Sequence, residues 1–168
     1  MTRLAITGHR GLSLELEGEV DRMIRAAVAE NTAVGENTAV AGNTGVVGVS
    51  CLADGADAVF AQAVLDAGGS LVVVLPAAEY RASLPEDYRP VFDALLARAG
   101  KVVRLPFVTP DSHAYMEAGK RMVDESDSLL AVWDGLPGRG PGGTADVVAY
   151  ARSKGVPVTV VWPEGAIR

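Results

Sequence analysis

Three features of this sequence predict a doubly wound α/β fold, a mainly parallel sheet of about six strands with helices on both faces. Runs of branched apolar residues such as LVVVL at 71–75 lack polar alternation and read as strands covered on both sides. Between them lie segments with apolar residues at three- and four-residue spacing, the period of an amphipathic helix. Strand and helix alternate along the whole chain, which calls for parallel strands joined by right-handed crossovers. At 168 residues, 49% hydrophobic and 21% charged, a single domain over 1–168 is expected.

Residues 3–7 (RLAIT) form the first expected strand, which ends in the turn Gly8-His9-Arg10-Gly11. Over 13–30, Leu16, Val20, Met23, Ile24, Ala27 and Val28 recur with helical period. A second strand at 46–49 follows. Asp54 is placed to cap a second helix, with Ala58, Ala61, Val64 and Leu65 on its apolar side and Gly68-Gly69 at its end. The third strand, 71–75, is closed by Pro76. After a polar connection over 77–87, Val91, Phe92, Leu95 and Leu96 mark a third helix, and 102–105 is the fourth strand. Pro110-Asp111-Ser112 starts a helix whose Tyr115, Met116, Gly119, Met122 and Val123 are expected to face the sheet. The fifth strand, 129–133, leads through a loop rich in Gly and Pro to a helix from about Thr144 to Lys154. Gly155 stops that helix, and 156–162 is the last strand.

In such a sheet each strand-to-helix turn lands on one edge, so residues 8–11, 50–55, 76–80, 106–112 and 134–144 are expected to converge there. Ligands of open α/β sheets bind at that edge. The repeat over 30–46, in which Asn-Thr-Ala-Val recurs and Asn-Thr-Gly-Val closes, joins a helix to a strand and belongs to the opposite edge. Its three copies are too few for a solenoid with its own core, so an expanded surface loop, with a helical extension or an oligomer contact, is expected.

The 15 Lys and Arg stand against 21 Asp and Glu, a net charge of −6, and no basic run exceeds two residues. Duplex binding without sequence preference needs a dense basic surface, so no nucleic-acid partner is expected. No membrane partner is expected either, because the apolar stretches fall well short of the ~20 residues of a spanning helix. Met1 runs directly into the first strand, and Cys51 is the only cysteine, which excludes an intramolecular disulfide. Both suit a cytoplasmic location. Two histidines and one cysteine are too few for a metal site of the usual spacings, and no cofactor is expected.

Four groups of residues carry candidate chemistry. Thr7-Gly8-His9-Arg10 combines a hydroxyl, a backbone open to close approach and a guanidinium suited to paired phosphate oxygens, with a surface ion pair as the alternative role for Arg10. Asp57, at the start of the second helix, is either a cap or an acceptor for ribose hydroxyls. His113, Glu117, Lys120 and Arg121 share a helical face, as an i,i+4 ion-paired surface or a site-facing acid. The loop over 134–144 spells GxGxxG at Gly138, Gly140 and Gly143, but Pro141 interrupts it and it follows the fifth strand instead of the first. No GxxxxGK[ST] and no GxSxG occurs. What remains is Gly142-Gly143-Thr144 at a helix start between Asp134 and Asp146, the expected site for a phosphate or carboxylate.

Taken together, TGHR after the first strand, GAD at the second helix, SDSLLAVWDG and PGGTADVV resemble the SLOG superfamily, Rossmann-like proteins related to the lonely guy enzymes and DprA. The resemblance covers nearly the whole chain in order. It implies a Rossmann-like fold that binds a nucleotide or nucleotide-derived, ADP-ribose-like ligand through Gly8, Arg10, Gly142, Gly143 and Thr144, with Thr7, His9 and Asp57 nearby. Lonely guy enzymes cleave the N-glycosidic bond of nucleoside monophosphates with the glutamate of PGGxGTxxE. Here that position is Val147, and the arginine expected four residues before Met122 is Ala118. N-glycosidic hydrolysis or transfer, with Asp146, Asp134 or Glu117 as the acid, is therefore the alternative to ligand binding. A structural module in a larger assembly is the third reading.

Overall fold

A computed structural model of the chain describes residues 2–33, 45–138 and 143–167. Among them, β1 (Thr2–Gly8), β2 (Val46–Ser50), β3 (Ser70–Leu75), β4 (Lys101–Arg104), β5 (Ser128–Val132) and β6 (Val158–Val161) form one sheet in the order β4-β3-β2-β1-β5-β6. Every pairing is parallel. Parallel neighbours need a crossover, and the helices supply it: α1 (Leu14–Ala33), α2 (Ala56–Asp66), α3 (Tyr80–Ser83), α4 (Arg89–Ala97), α5 (Ser112–Asp124) and α6 (Thr144–Ser153). This is the doubly wound architecture that the alternation of patterns predicts.

The chain moves outward from β1 through β2 and β3 to β4, then returns to place β5 on the other side of β1. With right-handed crossovers, that reversal puts α1, α2 and α4 on one face and α5 and α6 on the other, as the packing of α1 on α2, α2 on α4 and α5 on α6 shows. Strands covered by both layers are apolar throughout: all of β2 is buried, as are Leu4, Ala5 and Ile6 of β1. The outer strands carry the exposed positions, with Lys101 and Arg104 at the ends of β4. Charges there discourage further strand pairing along the edge.

Two local expectations are corrected. Asp54 does not cap α2; the N-cap is Gly55, at φ 89° and without a side-chain cap bond. The Asp54 carboxylate instead accepts from Arg10 Nε at 2.8 Å. On α5, Tyr115 and Met116 are half-buried, and the inward face belongs to Ala114, Ala118, Gly119, Met122 and Val123, because Asp111 caps the helix through Ala114 N–H and sets its rotation. The first repeat copy begins inside α1, while 34–44 lie outside the described residues.

Phe60 of α2 is fully buried at the centre of the layer that α2 makes with the sheet. Phe60→Ala is expected to lower unfolding free energy by about 3–5 kcal/mol, measured by chemical denaturation.

Candidate functional site

A cavity of about 430 Å³ opens at the carboxyl ends of the strands, over the point where β1 parts from β5. This is the switch point of the sheet, where successive crossovers leave toward opposite faces and the turns cannot close over one another. All five stretches expected to converge contribute to its wall, represented by Arg10, Ala53, Tyr80, Ser112 and Thr144 with their neighbours.

The turn after β1 is held on both sides. A Cβ on Gly8 would lie 2.5 Å from Ala56 Cβ and 2.8 Å from Val132 Cβ, so only glycine lets α2 and β5 close on this strand end. His9 N donates to the Val132 carbonyl at 3.2 Å, and its own carbonyl accepts from Ala56 N at 3.3 Å. The His9 ring is buried, which differs from the solvated ring usual in a turn. Its Nε2 accepts from Asp134 N at 3.2 Å and lies 3.4 Å from Asp134 Oδ1, while the ring meets Trp162 edge-on at 5.5 Å. His9 thus ties the β1 turn to the β5 turn. Arg10 forms the ion pair considered for it, its Nε and Nη2 each 2.8 Å from Asp54 Oδ1, and its side chain lines the cavity. Thr7 is buried in the same wall.

The turn after β2 is fixed by three side chains. Ser50 Oγ accepts from Leu52 N at 3.0 Å, Asp57 Oδ2 accepts from Ala53 N at 3.2 Å, and Tyr88 donates its hydroxyl to the Leu52 carbonyl at 2.8 Å. These bonds hold Leu52 at φ 57°, a left-handed conformation that a leucine adopts only when its surroundings impose it. The result sets Cys51, Ala53 and Asp57 along the cavity. Burial drives the Asp57 carboxyl up to about 7; the Ala53 N–H and the Arg10 charge oppose the shift, and Asp54 adds to it. Burial also raises the Cys51 thiol, whose sulfur lies 3.7 Å from Met122 Sδ, and the Tyr80 phenol.

The third wall is the start of α6. Gly143 is the N-cap with extended backbone and no side-chain cap. The N–H groups of Thr144 and Ala145, in the first turn, have no acceptor within the helix and belong to residues of the cavity wall. Gly142 lies outside the described residues. Val147, at the position of the lonely guy glutamate, lines the cavity and is buried, whereas Asp146 is exposed about a quarter turn away. Glu117 is not part of the lining and sits 3.4 Å from Lys120 in an i,i+3 pair. Asp134 is likewise not part of the lining; it meets His9 Nε2 and accepts from Leu136 N at 3.0 Å. Reading the residues missed the aromatic part of the wall, Tyr80, Tyr115 and Trp133. Tyr80 and Trp133 stand in or beside strand-to-helix turns, and that position was the available signal. Among the described residues no three His, Cys, Asp or Glu side chains are gathered as a metal site, and no helix is long and apolar enough to cross a membrane.

Two outcomes follow from this geometry. Gly8→Ala is expected to cost about 1–3 kcal/mol through the clash with Ala56 and Val132, measured by urea unfolding. For Asp57, the folded state keeps the proton up to about 7 and the unfolded state only to 3.8, so its contribution to stability is complete below the lower value and lost as pH rises through the higher. Asp57→Asn should therefore match the parent at about pH 4 and exceed it by a few kcal/mol at about pH 8, a difference that paired thermal melts would show.

No protein-family model matches the chain, and no curated protein matches it. Solved structures do. DNA processing protein A of Helicobacter pylori, which binds single-stranded DNA, is similar with a TM-score of 0.66 at 17% identity, over 95% of this chain and 64% of its own. DNA processing protein A of Streptococcus pneumoniae gives 0.65 at 17% identity, over 95% of this chain and 50% of its own. The chain thus spans between half and two thirds of the length of these two proteins. The molybdenum cofactor binding protein of the phototrophic bacterium Rippkaea orientalis gives 0.60 at 14% identity, over 97% of this chain and 77% of its own. The first of these likenesses corrects the expectation that excluded a nucleic-acid partner. A protein with this fold binds single-stranded DNA, and the net charge of −6 describes the average field of the chain, not the polarity of one groove. At such identities the likeness is one of fold, and with the sheet order it shows that the chain has the Rossmann-like, doubly wound fold of these proteins.

Proposed function

We propose that the chain binds a nucleotide or nucleotide-derived ligand, of the ADP-ribose type, in the cavity at the switch point. The observation that carries this reading is the convergence on one cavity of the first residues of α6, whose N–H groups have no acceptor within the helix, the Arg10 guanidinium and three aromatic rings. Helix N-termini favour anions through their unpaired N–H groups and dipole, and a guanidinium matches phosphate oxygens. Rings of Tyr80, Tyr115 and Trp133 offer faces or edges to a base. The volume falls at the lower end of the ~300–1,000 Å³ of small-molecule sites. In this reading Gly143, Thr144 and Arg10 hold phosphate; Thr7 and Asp57 line the pocket, Gly8 permits the close approach of the walls, and His9 sets their spacing.

The likenesses support a ligand without choosing it or its place, since one similar protein binds the molybdenum cofactor and another single-stranded DNA. Cleavage of an N-glycosidic bond is supported less. None of its three candidate acids, Asp146, Asp134 and Glu117, is among the described residues that line the cavity, and Val147 presents hydrocarbon where the glutamate of lonely guy enzymes would stand.

A thermal-shift panel of AMP, ADP and ADP-ribose tests the reading. A ligand at 100 times its dissociation constant should add about 2.7 kcal/mol of stability. Arg10→Ala should weaken that ligand by roughly 10- to 100-fold, the loss expected for hydrogen bonds to a charged group. No shift with any member of the panel would sink the proposal.

A further inference from the structure

We infer that Asp57 is the specificity-determining residue of the cavity, acting in its neutral acid form as a hydrogen-bond donor to an anionic oxygen of the ligand, so that ligand and proton enter together. The inference rests on the ligand-binding reading above and adds the chemistry by which the pocket selects an anion.

The charges around the cavity lead to it. Arg10 is the only lysine or arginine among the described lining residues, and its fork is already closed on Asp54 at 2.8 Å. That pair is neutral as a unit. An ionised Asp57 would leave this side of the pocket with net negative charge, against which the start of α6 offers only about half an elementary positive charge. An anion would then meet repulsion. With Asp57 neutral, the same wall presents Arg10, the α6 N–H groups and an acid O–H, all of them donors.

The placement of the carboxyl fits this role. Asp57 is 8% exposed and lines the cavity. One oxygen is taken by Ala53 N–H at 3.2 Å, and no hydrogen bond engages the other among the described residues. The surrounding groups are Arg10 and Asp54 from the turns, Cys51 after β2, Tyr80 of α3 and Tyr88 before α4, with Tyr115 of α5 acting on Arg10. Arg10 supplies the positive charge that keeps Asp57 partly ionised near neutrality. An anion docked on Arg10 cancels that field, and Asp57 then takes one proton from solvent. No other bond is made or broken.

ADP-ribose is a suitable probe, because its esterified pyrophosphate does not titrate near neutrality. Calorimetry at about pH 6 and about pH 8, each in two buffers of different ionisation enthalpy, reads both affinity and protons exchanged. The parent protein should bind about tenfold more weakly at the higher pH, with an uptake there of nearly one proton. Asp57→Asn, whose amide keeps a donor without a charge, should bind at both pH values as the parent does at the lower one. Binding by the parent that is indifferent to pH and takes up no proton would overturn this inference and leave the ligand-binding reading intact. So would a pH dependence that persists in Asp57→Asn. Failure of ADP-ribose to bind at either pH would overturn both. Proton uptake is measured on the parent protein, so the test does not depend on the variant folding.

Discussion

The joint between β1 and β5 is the constraint on which the rest of the structure depends. Two parallel strands that lie side by side but send their crossovers to opposite faces leave their carboxyl ends uncovered, and something other than a helix must hold the turns together. Here a histidine does so. His9 reaches Val132 through its backbone and Asp134 through its ring, and Gly8 removes the one side chain that would keep α2 and β5 apart. The crevice that results is a by-product of topology, and its polarity comes from the few side chains the turns deliver to it.

Those side chains are held in ways that oppose their ordinary preferences. Leu52 keeps a left-handed backbone because Ser50, Tyr88 and the buried core beneath leave it no alternative. Asp57 is buried beside a guanidinium that a second acid has already engaged, so desolvation outweighs attraction. A residue so placed weakens the fold at neutral pH, and groups perturbed in this way cluster at functional sites.

Much of this was legible from residue patterns, for identifiable reasons. Strands buried on both faces must be largely apolar, so LVVVL at 71–75 and LLAVW at 129–133 declare themselves, the latter one residue past the bounds of β5. Alternation of periods then places every strand-to-helix turn on one edge, and the cavity lies there. Strand order is a different matter. It is set by long-range pairing, with partners such as Gly8 and Val132 far apart in the chain, and no local period encodes it. The same holds for Asp54. Its neighbours suggest a helix cap, and only the approach of Arg10 from another turn explains why it is not one. Whole-chain charge suggested that nucleic acid was excluded, yet charge counted along a chain does not describe the walls of a groove.

The meeting of Val147 with Gly119 has a further consequence. A Cβ on Gly119 would lie 2.7 Å from Val147 Cγ2, so the valine methyl occupies the space that a side chain on α5 would need. The two helices are keyed together at the point nearest the cavity, and α6 can neither slide nor rotate against α5 without breaking that fit. Its first turn is therefore aimed before any ligand arrives. Any guest that met N–H groups already in position would lose little conformational entropy in ordering them, which is what preorganisation contributes to binding.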